Sequence, residues 1–266
     1  PFYIISKEAV AEYLFQKGQD EEGEFYGISS SDDFNALGTF VDTADSVTSG
    51  MRFKLMNDIE VTTMIGTNED TRSFQGTFDG NGKTLTLNLN GGDNDQFLAP
   101  FRYVKDATIR NLIVAGTITS TRYGDGTHGG FVALSSGETT FENCAFTGSL
   151  LGETTNSCGG FVGWNKGSLT FTDCVFDPAQ ITMSSKYSAT FNRNGNNTLT
   201  RCYYTTPFGE VQGVRVSDNA NSVHTNEQIV IDGKNYYRTC DISGLSMGYK
   251  YTGAPIAVTP VVQFTS

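Results

Sequence analysis

A spacing of 30 residues recurs along this chain and constrains its fold more than any other feature. Four phenylalanines keep that spacing, and the segment 129–132 (Gly-Gly-Phe-Val) returns unchanged at 159–162. The phenylalanines are Phe101, Phe131, Phe161 and Phe191. A fixed period of roughly 20–50 residues is the signature of a protein built from stacked repeats. The sequence therefore predicts one structural unit that is copied along the chain.

A second recurring block indicates what the unit contains. Its copies begin at Ile109, Phe141, Phe171 and Leu199. In the fullest copies apolar residues alternate, shift phase by one position and alternate again, which predicts strands with one buried face on either side of a bend. The shift falls on residue types that tolerate bend geometry, at Asn111, Asn143 and Asp173. With no helical period between residues 51 and 206, we expect an all-β fold, a right-handed parallel β-helix (solenoid) of about 30 residues per coil.

Stacked coils bring equivalent side chains into columns. The four phenylalanines would form one internal column, and a second would contain Leu112, Cys144, Cys174 and Cys202. Neighbouring strands lie roughly 4.8 Å apart, and burying such a side chain is worth roughly 1.5–3 kcal/mol. The five cysteines contain no C-x-x-C motif, so we expect free thiols that act as small apolar side chains.

The ends of the chain differ from its middle. Two short helices are expected to begin after Ser6 and Ser30, each a favourable capping residue, and an acidic linker (20–24) would connect them. We therefore predict an N-terminal α-helical cap region at 1–50, the β-helix at 51–206, and a C-terminal β segment at 207–266. The cap would cover the apolar end of the solenoid. Because the sequence begins at Pro1 rather than Met, we expect a segment excised from a longer protein.

The charge of the chain limits its partners. A net charge of −11 and a pI of about 4.6 argue against nucleic acid or an anionic membrane, since both are bound through basic patches. No apolar run is long enough to span a membrane. With two histidines and no H-E-x-x-H motif, a histidine-based zinc site is not expected.

Two parts of the sequence carry a family resemblance. Residues 53–59, 65–66 and 74–85 resemble the opening coils of bacterial cell-surface β-helix proteins, and 159–176 is similar to the GLUG repeat found in such proteins. The resemblance covers roughly 30–205 and implies a secreted or cell-surface bacterial protein. Residues 236–262 resemble the junction that leads into Ig-like modules of large surface proteins. The alternative is that these residues form a strand pair closing the solenoid.

The repeat spacing also predicts which loop residues are neighbours. It places Asp93 and Asp95 above Tyr123 and Asp125, and Glu153 below Tyr123, with Arg122 alongside. Stacked aspartates could coordinate calcium through hard oxygen ligands, although polar loop tips that only face water would look the same. Trp164, after a glycine corner, is either an exposed sugar-stacking platform or partly buried packing. The candidate ligand-binding residues are Asp93, Asp95, Arg122, Tyr123, Asp125, Glu153 and Trp164, and no catalytic or metal-binding residue is assigned.

These features predict a non-catalytic module of an exported bacterial surface protein, with an adhesion, carbohydrate-binding or spacer role. Its partners would be a glycan or host surface macromolecule and the neighbouring modules of the same polypeptide. The alternative is a polysaccharide-degrading β-helix enzyme, a lyase or glycoside hydrolase, at the same loop edge. Hydrolases of that kind need paired carboxylates roughly 5–10 Å apart.

Overall fold

The predicted solenoid is confirmed. A computed structural model describes residues 6–217, 224–231, 234–243 and 261–264. It contains a β-solenoid of about six turns, whose stacked parallel coils lie about 30 residues apart in sequence, and two short helices.

The N-terminal segment contains both helices and a hairpin. Its elements are α1 (Lys7–Leu14), β1 (Gln16–Asp20), β2 (Gly23–Ile28) and α2 (Ser31–Val41). Each helix begins where the sequence predicts, because the Ser6 and Ser30 hydroxyls accept hydrogen bonds from main-chain N–H groups in the first turn. Helix α2 buries Phe34, whose ring contacts that of Phe78 in the solenoid at 6.5 Å. The helix therefore covers the apolar end of the coils.

The predicted acidic linker at 20–24 is wrong. These residues form the turn of a hairpin in which Asp20 pairs with Gly23, and β2 continues in parallel onto the first coil. The acidic side chains there find cationic partners: Asp20 binds Arg52 and Lys54, and Glu22 binds Arg110. A run of acidic residues predicts a solvated linker only where cationic partners are missing. The sequence alone does not show whether such partners lie nearby in the fold.

Parallel strands form the body of the solenoid. One ladder joins β3, β5, β7, β10, β15 and β18, a second sheet joins β6, β9 and β14, and β8 pairs with β13. The strands are β3 (Arg52–Leu55), β4 (Ile59–Val61), β5 (Thr77–Gly91), β6 (Phe101–Lys105), β7 (Thr108–Ser120), β8 (Gly124–Asp125), β9 (Val132–Ser136), β10 (Glu138–Glu142), β11 (Ala145–Phe146), β12 (Ser149–Leu151), β13 (Thr155–Asn156), β14 (Val162–Asn165), β15 (Ser168–Thr172), β16 (Val175–Phe176), β17 (Gln180–Ile181), β18 (Asn196–Thr200) and β19 (Tyr203–Tyr204).

Two columns of left-handed residues form corners of the coils. The predicted bend is confirmed, since φ is positive at Asn111, Asn143, Asp173 and Arg201. Asn143 also donates its side-chain N–H to Asn111 Oδ1 at 3.0 Å, so the corner residues bind one another between coils. The second corner recurs once in each coil, at Phe97, Thr127, Ser157 and Tyr187. This second corner borders the candidate site.

The internal columns are confirmed with one correction. The rings of Phe131 and Phe161 stack with centres 4.5 Å apart, and those of Phe161 and Phe191 at 4.9 Å. The predicted fourth member is wrong: Phe101 pairs with Val132, one position out of register. Its ring instead packs against Phe78 near the N-terminal end, at 5.0 Å. The second column, which contains Leu112, Cys144, Cys174 and Cys202, is buried. Its three cysteines are free thiols.

The C-terminal strands continue from the last coil. They are β20 (Val214–Ser217), β21 (His224–Ile231), β22 (Lys234–Ser243) and β23 (Val261–Phe264). Strand β20 pairs in parallel with β19 and antiparallel with β22, which in turn pairs antiparallel with β21 and β23. Residues 244–260 of the predicted Ig-like junction lie outside the described residues, so that junction and its strand-pair alternative remain predictions.

Neither of the two helices in the described ranges is long and apolar enough to cross a membrane.

Candidate functional site

An outward-facing row of three side chains crosses the sheet of β6, β9 and β14. Tyr103 pairs with Leu134, and Leu134 pairs with Trp164. Val104, the residue after Tyr103, belongs to the internal core, whereas none of the three side chains of the row does, so the row lies on the opposite face of the sheet. Tyr103 and Trp164 are half-buried, and Leu134 between them is 6% exposed. We call Tyr103, Leu134 and Trp164 the aromatic row.

Arg193 connects the aromatic row to the loop edge. Its guanidinium carbon lies 4.8 Å from the centre of the Trp164 ring. Its two terminal nitrogens each bind one Asp125 carboxylate oxygen at 3.2 Å, and one also donates to Thr127 Oγ1 at 3.0 Å. The Arg193 side chain is 12% exposed, so the stacking and the two parallel hydrogen bonds hold it in one geometry. Two predicted site residues, Asp125 and Trp164, are thereby brought together.

Arg102 makes a similar contact at the other end of the row. Its guanidinium carbon lies 5.4 Å from the centre of the Tyr103 ring, and the Phe97 ring lies 5.9 Å from that of Tyr103. One terminal nitrogen reaches the main-chain oxygen of Gln96 at 3.5 Å. Its Nε is buried and has no hydrogen-bond partner among the described residues.

Arg122 holds two coils together through main-chain oxygens. Its Nε donates to the carbonyl oxygen of Asp125, and its Nη1 donates to that of Asp93 at 3.3 Å. The Asp93 carboxylate accepts a hydrogen bond from the hydroxyl of Thr121. Arg122 is therefore fixed beside Asp93 and Asp125 without binding either carboxylate.

Three predicted residues occupy more exposed positions. Tyr123 is 87% exposed, Asp95 accepts a hydrogen bond from the Gly92 N–H at 2.8 Å, and Glu153 is exposed. The predicted placement of Glu153 below Tyr123 is wrong by one residue. Here Gly124 pairs with Thr155, a spacing of 31, and continuing that register puts Glu153 beside Arg122. The spacing between paired residues is 32 at Leu151 and Thr119 and 31 at Thr155 and Gly124, so the assumed spacing of 30 does not apply to this loop.

The loop edge does not gather ligands for a metal. In the part of the chain that the structure describes, no three His, Cys, Asp or Glu side chains are close enough to hold one ion. The Asp95 carboxylate binds the Gly92 N–H, whereas the Asp125 carboxylate binds Arg193 and Thr127. These contacts do not fit a calcium site shared by the two aspartates.

Both ring nitrogens of the buried histidine behind the loop edge, His128, are hydrogen-bonded to neighbouring residues. His128 Nδ1 accepts a hydrogen bond from the Leu98 N–H at 3.0 Å, so the proton of the neutral ring lies on Nε2, which donates to Ser120 Oγ at 3.0 Å. Burial, with a smaller effect from the charge of Arg122, lowers the pKa of His128 to about 4. A base that activates a serine must accept the hydroxyl proton, and Nε2 here already carries one. The pair therefore does not form a serine nucleophile.

Sequence reasoning found Arg122 but missed Arg102, Arg193 and Tyr103. The backbone pairing of Val162 with Asn192 puts Arg193 beside Gly163. Arg193 lies 30 residues after Gly163, so the repeat spacing alone was enough to predict that these two residues are neighbours. The same register continues across the sheet from Gly163 to Arg102. Because β6 and β9 pair with a spacing of 31, a search with a spacing of 30 does not find Arg102.

Comparisons with known proteins leave the family open. No protein-family model matches the chain, so the GLUG resemblance has no support from a family match, and no curated protein matches it. One solved structure, described as a "putative immunoglobulin A1 protease from Bacteroides ovatus", is similar over 84% of this chain and 95% of its own. It has 11% sequence identity and a TM-score of 0.40. At that score the likeness carries no argument about function.

Proposed function

We propose that this chain is a non-catalytic binding module of an exported bacterial surface protein, which holds a glycan against the aromatic row. The observation that carries the proposal is that Tyr103 and Trp164 share one outward sheet face, each with an arginine over its ring. Binding sites for small ligands combine apolar and aromatic surface with a few fixed polar groups. Sugar rings offer the complementary chemistry, with C–H faces for the rings and hydroxyls for the arginines.

The fixed geometry of the site supports binding. Arg193 is held at once by Trp164, Asp125 and Thr127. A rigid side chain loses little further entropy when a ligand arrives, which favours affinity. Tyr123, 87% exposed on the same loop edge, supplies a further aromatic surface for the ligand.

The exported, surface-attached setting belongs to the same proposal. It rests on the resemblance of residues 53–85 and 159–176 to bacterial surface β-helices, and the partner in that setting is a glycan or a host macromolecule that carries one. The stacked coils also make a rod-like unit, which suits a spacer between neighbouring modules of a longer polypeptide. Adhesion and spacing are compatible in one molecule.

Contacts at the loop edge favour binding over the enzymatic alternative. A hydrolase needs a pair of carboxylates free to act as acid and base. The Asp125 carboxylate is bound by Arg193 and Thr127, and that of Asp95 by the Gly92 N–H. These partners engage both carboxylate oxygens of Asp125 and one of Asp95.

A glycan array combined with a reducing-sugar assay tests the proposal. We expect the wild-type chain to bind at least one glycan without releasing reducing ends, and Trp164→Ala to weaken that binding about tenfold or more, a cost of the size expected for an anchoring aromatic residue. Tyr13→Ala is the matched control, because Tyr13 is an 89% exposed aromatic residue on α1, away from the row.

Two results would overturn the proposal. Sugar release by the wild-type chain that Asp125→Ala abolishes would establish the enzymatic alternative. Failure to bind any glycan on the array would leave only the spacer role.

A further inference from the structure

Two arginines at the candidate site have no carboxylate partner. Within the described residues, Arg102 and Arg122 make no ion pair, and their hydrogen bonds go to the main-chain oxygens of Gln96, Asp93 and Asp125. Arg72 likewise makes no ion pair in the described chain, whereas Arg52, Arg110, Arg193 and Arg201 bind carboxylates. In a chain with a net charge of −11, partly buried guanidinium groups without a counter-ion are unexpected.

The two guanidinium groups each contact one of two residues, Gln96 and Asp125, that are hydrogen-bonded to each other. Arg102 reaches the main-chain oxygen of Gln96 at 3.5 Å, and Arg122 donates to that of Asp125. The Gln96 side chain itself donates to the Asp125 carbonyl at 2.8 Å, which joins the two positions. Arg102 Nε also lacks a partner but is buried, as are unpartnered nitrogens of Arg52 and Arg110, so a ligand would meet the terminal nitrogens instead. A guanidinium has five N–H donors in a planar fork, so both side chains have donors left for a ligand.

The neighbouring carboxylates are already engaged. Asp125 is bound by Arg193, Asp93 accepts from the hydroxyl of Thr121, and Asp95 accepts from the Gly92 N–H. None of these three contacts involves Arg102 or Arg122. The positive charge of the two arginines is therefore left for an anion from outside the described chain.

We propose that the glycan bound on the aromatic row is acidic, and that the carboxylate of a uronic-acid sugar binds at Arg102 and Arg122. This inference rests on the proposed function. A planar carboxylate accepts two parallel hydrogen bonds from a guanidinium fork, which a neutral hydroxyl cannot do. The aromatic row then holds the ring of the same or the adjacent sugar. Because the net charge of −11 repels anions at long range, selectivity for the acid depends on these two side chains.

Calorimetric titration with tetragalacturonic acid and with its fully methyl-esterified form tests the inference, because esterification removes the negative charge of each carboxyl group at the cost of one added methyl group. We expect the acid to bind the wild-type chain at least about tenfold more tightly, equivalent to about 1.4 kcal/mol. Arg102→Gln and Arg122→Gln should each reduce that preference, because each should weaken binding of the acid more than binding of the ester. Arg102→Lys should retain an intermediate preference, because lysine keeps the charge without the planar fork.

Arg201→Gln is the matched control, since it removes one positive charge at a different corner, and it should leave the preference unchanged. Thermal unfolding of each variant by circular dichroism shows whether it is folded. Equal affinity for acid and ester in the wild-type chain overturns the acidic-ligand inference and leaves the proposed glycan binding intact. Failure of both probes, together with failure of every glycan on the array, overturns both.

Discussion

The guanidinium of Arg193 lies over the ring of Trp164, with 4.8 Å between the guanidinium carbon and the ring centre. The two residues come from successive coils, and Arg193 reaches past Trp164 to the Asp125 carboxylate of an earlier coil. This side chain thus ties three coils together on the outer face of the solenoid. Trp164 is also the single tryptophan of the chain, so its fluorescence reports on this contact alone.

Replacing Arg193 with alanine should expose Trp164 and loosen the loop edge. We expect a red shift of the tryptophan emission and a loss of about 1 kcal/mol in the free energy of unfolding, the size of one cation–π contact and a partly exposed ion pair. Fluorescence spectra and urea unfolding measure the two effects. Arg201→Ala is the control, because Arg201 also pairs with an aspartate but lies over no aromatic ring among the described residues. An unchanged emission maximum in Arg193→Ala would contradict the stacked geometry.

The stability of the fold should fall as the pH drops from about 6.5 to about 4. Burial lowers the pKa of His128 from 6.5 to about 4, so the unfolded chain takes up a proton in this range before the folded chain does. The contribution of His128 is therefore complete above pH 6.5 and is lost as the pH falls, by about 3 kcal/mol in all. A proton on His128 Nδ1 would face the Leu98 N–H group, which now donates a hydrogen bond to that nitrogen.

Urea unfolding at pH 7.0, 5.5 and 4.5 measures this loss. His128→Gln should remove most of the dependence, since a glutamine offers a donor and an acceptor but does not titrate. A wild-type stability that is flat between pH 6.5 and 4.5 would show that His128 is not buried as described.

The repeat revealed the scaffold because its signals are local. The corner at Asn143 and the internal position of Cys174 follow from residue type and alternation within one coil, and neither depends on the length of the neighbouring loops. The column of Phe131 and Phe161 also follows, since these two coils keep the predicted spacing where Gly129 pairs with Gly159.

The candidate site could not be derived in the same way because the spacing between paired residues changes. Phe141 pairs with Ile109, a longer step than the repeat predicts, and Phe171 pairs with Leu199, a shorter one. A fixed spacing therefore misplaces loop residues, as it does for Glu153. Arg193 binds Asp125 because its long side chain extends across two coils. A rule based on backbone spacing does not predict such a contact.

At the corner residue Asn143, glycine should be tolerated better than alanine. Its φ is 51°, in the left-handed region that costs an L-residue with a Cβ about 1–2 kcal/mol and costs glycine little. We expect Asn143→Ala to lower the unfolding free energy by about 1 kcal/mol more than Asn143→Gly does. Glu142, which is exposed in strand β10 and directly precedes Asn143, provides the control. Glu142→Gly should destabilise the fold more than Glu142→Ala, because an extended strand does not need the conformational freedom of glycine and pays its entropy cost.

Phe161 should be among the most costly residues to truncate. Its ring is stacked between those of Phe131 and Phe191, at 4.5 and 4.9 Å, and is completely buried. Phe161→Ala should lower the unfolding free energy by about 3–5 kcal/mol because it removes the ring and leaves a cavity. Urea unfolding measures the loss, and Phe97→Ala at the half-buried corner should cost less. A cost below about 1 kcal/mol for Phe161→Ala would mean that the column collapses to fill the gap.

The thiols of the four buried cysteines should be unreactive in the folded chain. Burial raises the pKa of Cys158 to about 12 and that of Cys174 well above its usual value, whereas a hydrogen bond with Cys174 lowers the pKa of Cys202. The thiolate is the species that reacts, and the burial of all four thiols keeps a reagent away from them. We expect a Cys240→Ser variant, which leaves only the four buried cysteines, to label slowly with a thiol reagent at pH 8 and to release all four thiols on unfolding without reductant. Rapid labelling of the folded variant would contradict the burial of the column. Fewer than four thiols after unfolding would show a disulfide between stacked neighbours, and the column would then be a covalent link between coils rather than apolar packing.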